Sequence, residues 1–149
     1  MMMKKPLKTL VFLILIIATI KVYPMETKPV TLEIKDIERD RGGQIVVFVF
    51  SAQGFPKQHE MALWRYKTPV EQQQMKIDIE VPAREAFALK VLHDENLDEK
   101  VTKNWTGIFP KDGIGFSNGA RIRFGVPDYK DAKISYTSDL SPVISLQYF

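Results

Sequence analysis

The sequence predicts an all-β fold: an antiparallel Greek-key β-sandwich, immunoglobulin-like or transthyretin-like in architecture, with roughly six or seven strands. Three observations predict it. From Val30 onward the apolar residues recur with period two far better than with the 3.6 of a helix. Two short runs are apolar on both faces, and turn-forming residues fall between the runs at regular intervals.

Leu32 and Ile34 alternate with Thr31, Glu33 and Lys35, as a strand does when one face meets the core and the other meets water. Met75, Ile77, Ile79 and Val81 alternate in the same way with Lys76, Asp78 and Glu80. Ile45 to Phe50 (IVVFVF) and Ala86 to Leu92 (AFALKVL) are apolar on both faces and rich in β-branched or aromatic residues, so both are expected to be central strands. Ile134 to Thr137 predicts a further strand, Arg121 to Phe124 a short edge, and Ile144, Leu146 and Tyr148 the last strand. Asp40-Arg41-Gly42-Gly43, Val81-Pro82, Asp112-Gly113 and Ser141-Pro142 supply the turns. Only Glu60 to Tyr66 and Asp128 to Ala132 have helical character, the second behind Pro127.

Lys4, Lys5 and Lys8 precede an apolar stretch from Leu10 to Ile20, which is a charged n-region followed by an h-region. A spanning helix needs about twenty apolar residues, so residues 1–24 are expected to be a signal peptide. An uncleaved N-terminal anchor is the alternative, because no small-x-small cleavage pattern follows the stretch. Residues 28–149 then form one β-sandwich domain, either periplasmic or secreted, whose membrane contact is limited to the leader if it stays attached. Loss of the leader's four lysines turns the net charge of +3 into about −1, and no basic footprint for nucleic acid remains. The absence of cysteine excludes a disulfide framework and a lipid-modified cysteine. A membrane barrel would need eight or more strands of about ten residues, too many for this chain.

Directly after the second apolar run stands HDENLDEK, residues 93 to 100. Asp94, Asn96 and Asp98 occupy positions 1, 3 and 5 of an EF-type calcium loop, whose oxygens converge on the ion. The position 6 glycine is replaced by Glu99 and the position 12 glutamate by Trp105. Weak calcium binding by these three residues and a plain solvated loop are both open, and no other cofactor is expected. His93 ends the strand, where it can join a site or simply bond a loop carbonyl. His59 is the only other histidine, so one chain cannot build a multi-histidine zinc site. A hydrolase using His93, Asp94 and Ser117 is the weakest reading, since no G-x-S-x-G elbow surrounds the serine. Asn104-Trp105-Thr106 matches the N-glycosylation tripeptide, which has meaning only in a eukaryotic secretory route.

GIFPKDGIGFSNGARIRFGVPDYKDA, from Gly107 to Ala132, is the most distinctive stretch. With HDEN before it and Gly54-Phe55-Pro56 upstream, it resembles an uncharacterised secreted bacterial family, domain of unknown function 2141. His93, Asp94 and Asn96 match that family's HDxN. Gly107, Ile108 and Pro110 match its G-I-P, and Gly113, Gly115, Phe116, Ser117 and Asn118 its G-x-GFSN. Ala120, Arg121, Arg123, Phe124, Gly125, Pro127, Asp131 and Ala132 continue the match. The resemblance implies an exported β-sandwich and no assigned activity. The chain departs from the family's HDxNxNGKLD at Leu97, Asp98, Glu99 and Thr102, and Phe109 is an extra residue before the proline.

Phe116, Phe109 and Trp105 bring aromatic faces near Asn118, Arg121 and Arg123, an assembly suited to a glycan or peptide. The expected ligand-binding residues are therefore His93, Asn96, Trp105, Phe116, Ser117, Asn118, Arg121 and Arg123. The alternative is that the aromatics cover the end of the sandwich while the arginines pair with Asp94, Asp98 or Asp112. The sequence as a whole reads as a non-enzymatic binding or accessory module of the bacterial envelope.

Overall fold

The computed structural model describes residues 23–149. The expected leader lies outside the described residues except for Tyr23 and Pro24. Among the described residues there are seven strands: β1 (Thr27–Lys35), β2 (Gln44–Phe50), β3 (Trp64–Pro69), β4 (Met75–Pro82), β5 (Ala88–Asp94), β6 (Gly113–Phe116) and β7 (Val143–Ser145). One helical turn, α1 (Tyr129–Ala132), precedes β7. The strands make an all-β sandwich of two sheets, ordered β4-β1-β7 and β3-β2-β5-β6. All pairings are antiparallel except β1 with β7.

The core is divided in two by the four-stranded sheet. Val47 and Val49 of β2 and Leu89 and Val91 of β5 pack with Leu32, Ile34 and Ile144 of the other sheet. Val46, Phe48 and Phe50, with Ala88 and Leu92, face the opposite way and pack against Ile114, Phe116, Ile122 and Ala132. This second layer explains why β2 and β5 are apolar on both faces: each surface of the sheet is covered, one by a sheet and one by connecting segments.

Four elements differ from their sequence patterns. Helix formers in Glu60 to Tyr66 yield only a 3-10 turn at His59–Met61, after which β3 begins. In β3, Trp64, Tyr66 and Thr68 are half-buried while Arg65, Lys67 and Pro69 are exposed, and the ladder to β2 overrides helix propensity. Ile134 to Thr137 contributes a single bridge, Ile134 to Phe87. Arg121 to Phe124 is a loop; the Ile122 N–H donates to the Gln147 side-chain oxygen instead of to a strand (3.1 Å). Gly113–Phe116, expected to be a turn and loop, is a ladder strand beside β5.

The last strand is split between the sheets. β7 pairs with β1, whereas two residues later Gln147 exchanges backbone hydrogen bonds with Ile114 of β6 (2.8 and 3.0 Å). The chain end thus joins one sheet to the other. Among the described residues no helix is long and apolar enough to cross a membrane.

Candidate functional site

The acidic loop is organised by its own backbone. Asp94 is fully buried; its carboxylate accepts hydrogen bonds from the Gln44 amide (2.8 Å) and from the N–H groups of Asp98 (3.2 Å) and Glu99 (2.9 Å). Asp98 accepts from the Asn96 amide (3.0 Å) and the Lys100 N–H (2.8 Å). Leu97 and Glu99 stand at positive φ, 63° and 58°, in a loop without glycine. The Asp94 and Asp98 carboxylate oxygens, expected to face calcium, thus accept from donors of this loop and of β2. Among the described residues no group of three or more His, Cys, Asp or Glu side chains is arranged to hold a metal ion.

His93 is buried on the inner face of β5. Its Nε2 lies 2.7 Å from the Gly42 carbonyl, which only an N–H can face, so Nδ1 is left to accept from the Tyr148 hydroxyl at 2.7 Å. The same hydroxyl accepts the Glu38 N–H at 3.0 Å. Burial pushes the Tyr148 phenol up to about 12. Both ring nitrogens therefore serve the joint between the two sheets and the chain end.

The GFSN stretch is shaped by close approach. A Cβ on Gly113 would lie 2.4 Å from the Tyr148 ring, and one on Gly115 would lie 2.4 Å from Ile144 Cγ2 and 2.9 Å from the Ser145 carbonyl oxygen. Ser117 is buried; its Oγ accepts the Leu89 N–H (2.8 Å) and donates to the Ala132 carbonyl (2.5 Å). Asn118 adopts φ 57° and donates its amide to the Asp131 carbonyl (2.9 Å). Phe116 belongs to the second core layer. Trp105, 97% exposed, and Arg121 stand outside the cleft described next, while Arg123 lines it. The residues expected to share one ligand face are thus distributed over a buried joint, a buried clip, a loop tip and a cleft wall.

The cleft, about 1050 Å³ in volume, opens over the outer face of the four-stranded sheet. Ile114, Phe116 and Ile122 form a buried apolar floor, and the exposed side chains of Ile108, Phe109 and Phe124 rise as walls. Lys90 enters this floor from the middle of β5, directly opposite Phe48 of β2 and Phe116 of β6. It is only 3% exposed. Its Nζ donates to the Pro56 carbonyl at 2.9 Å and lies 2.7 Å from His59 Nε2.

His59 stacks on Phe48 with ring centroids 4.1 Å apart. Its Nδ1 is 2.8 Å from the Glu99 carbonyl and so carries the proton, leaving the Nε2 lone pair to accept from Lys90. Burial drives the Lys90 amine down to about 7. Burial, then the neighbouring Lys90, holds the His59 imidazole below its ordinary range. No ion pair among the described residues includes Lys90. At the rim, Lys57, Lys100, Lys103 and Arg123 outnumber Glu60, Asp98 and Glu99. Glu99 is moreover paired with Lys67 and Arg65, and the Lys67 hydrogen bond foremost holds its carboxyl below the usual range.

Residues 32–142 match the model of a family described as an uncharacterized protein conserved in bacteria, DUF2141. The chain belongs to this family. No curated protein and no solved structure matches it. Every cleft residue named above lies within the DUF2141 match. In this DUF2141 protein, the HD and GFSN residues quoted for the resemblance hold loops and sheets together, while the most chemically unusual pair is Lys90 and His59. The sequence pattern marks Lys90 for no role and His59 only as one of two histidines, too few for a multi-histidine zinc site. The available signal was a lysine on the outward face of AFALKVL, between Ala88 and Leu92, in a strand with no polar face to put it on.

Proposed function

We propose that this protein is an exported, non-enzymatic binding module of the bacterial envelope, and that its ligand seats in the cleft over β2, β5 and β6. The observation that carries this reading is an apolar cleft of about 1050 Å³ with a cationic rim and a buried amine in its floor. Such a lining suits a small ligand with an apolar body and an anionic end: the body covers Ile114, Phe116 and Ile122, and the end meets Lys57, Lys100, Lys103 or Arg123. Of the ligands expected from the sequence, a short peptide ending in an apolar residue has this chemistry. A glycan, which needs hydrogen-bonding walls along its length, has less of it.

The test uses 1-anilinonaphthalene-8-sulfonate, an aromatic body with one anionic group. Its fluorescence is expected to rise on saturable binding to the folded protein and to weaken in Ile108→Asp and Arg123→Glu, two exposed positions whose replacement leaves the core intact. Absence of a saturable response from the wild type would reject the cleft as a ligand seat. Fractionation of cells making the full chain tests export; retention in the cytoplasm would reject that part.

A further inference from the structure

We propose that Lys90 captures a carbonyl ligand covalently, its Nζ forming an imine with a small aldehyde or ketone held in the cleft and His59 carrying the proton. The inference rests on the reading of the cleft as a ligand seat and names what its floor does.

Three features support it. First, the partners of Nζ match an uncharged amine: the Pro56 carbonyl and the His59 Nε2 lone pair accept two N–H bonds, which is all a neutral amine has, and leave its lone pair unengaged. An ammonium in the same place would keep a third N–H without a hydrogen-bond acceptor among the described residues. Second, among the described residues no carboxylate pairs with the charged form; Phe48 and Phe116 flank Lys90 in register on both neighbouring strands, and the Phe48 ring centroid lies 6.0 Å from Nζ, the outer reach of a cation–π contact. A lysine desolvated in an apolar pocket is an activated nucleophile, and burial pushes Lys90 in that direction. Third, Lys90 lines the cleft, whose volume of about 1050 Å³ has room for an apolar-bodied carbonyl compound.

The step balances without any further reactant. The Nζ lone pair attacks the carbonyl carbon, a C–N bond forms, and the carbonyl π pair moves to oxygen. One Nζ proton passes to His59 Nε2, 2.7 Å away, and from there to the alkoxide oxygen, giving a carbinolamine and a neutral His59. The nitrogen lone pair then forms C=N, the C–O bond breaks, and the second Nζ proton passes through His59 Nε2 to the departing hydroxyl, which leaves as water. One carbonyl and one amine yield one imine and one water, and His59 ends as it began.

The experiment treats the full-length protein with octanal and cyanoborohydride at neutral pH and maps alkylated lysines by mass spectrometry over time. Lys90 is expected to be alkylated about tenfold or more faster than the exposed Lys57 and Lys103. In His59→Gln the lead of Lys90 should shrink by more than any loss in binding of 1-octanol, which has no carbonyl. Displacement of the anilinonaphthalene dye by 1-octanol is measured alongside. If 1-octanol displaces the dye and Lys90 is alkylated no faster than Lys57, covalent capture is overturned and the ligand seat stands. If 1-octanol does not displace the dye and Lys90 is not alkylated, both fall. Lys90→Met, which keeps an unbranched side chain without charge and cannot form an imine, must abolish the fast label; a fast label that persists elsewhere in the cleft also overturns the proposal.

Discussion

A lysine buried without a carboxylate makes stability depend on pH in a direction that can be worked out. Lys90 has a folded value near 7 against 10.5 when free. Below pH 7 its desolvation opposes folding in full, and between 7 and 10.5 the unfolded chain binds more protons, so stability rises with pH. The size is set by roughly 1.4 kcal/mol for each unit of difference. Tyr148 acts oppositely: its phenol ionises near 10 when unfolded and near 12 when folded, so its contribution is lost as pH climbs through that window. Denaturant melts should therefore show greatest stability near pH 10. In Lys90→Met the rise from pH 7 should flatten, and an equal rise in that variant would exclude Lys90 as its source. Tyr148→Phe removes the donor to His93 and the acceptor of the Glu38 N–H. The loss should be about 1–3 kcal/mol in the same melts.

Among the elements, β6 is decided by what lies against it. Gly115→Ala would force a methyl into Ile144 and the Ser145 carbonyl, so β7 must move off. A cost of about 1–3 kcal/mol is expected, together with faster amide exchange at Gln147, whose N–H bonds Ile114 across the same joint. Unchanged exchange would mean that the chain end does not depend on this contact. The loop from Asp94 to Lys100 carries a second expectation. Its carboxylates already accept backbone donors, so melts in millimolar calcium and in chelator should coincide, whereas an ion at a hundred times its dissociation constant would add about 2.7 kcal/mol. Asp94→Asn should lower the melting temperature in both buffers, because the loss is of a loop cap.

For the molecule as a whole, the four-stranded sheet is the organising object. One surface builds the sandwich core, and the other, covered only by connecting segments, leaves a cleft where that cover is incomplete. The sequence showed this sheet's central strands plainly, since a strand covered on both faces must be apolar on both. It concealed β3, because EMALWRY is composed of helix formers and only pairing with β2 selects the extended form. It also concealed β6, because four residues with two glycines carry too little apolar pattern to mark a strand. Phe116 and Ser117 drew attention as site residues for the same reason that they hold the fold: a glycine-rich turn with an aromatic and a hydroxyl is equally the composition of a binding loop and of a tight packing joint.

The sequence by itself determined the all-β class, the two central strands, the turn at Gly42-Gly43 and membership of an uncharacterised bacterial family. These are local or nearly local properties: periodicity, backbone freedom, and the order of residues along one chain. Only the tertiary structure decided which polar residues would be enclosed together. Lys90 and His59 are separated by 31 residues, and nothing in either segment specifies the other. They meet because β5 lies beside β2 and the segment after Pro56 folds across both, and burial, a property of the assembled sheet alone, changes the chemistry of the amine.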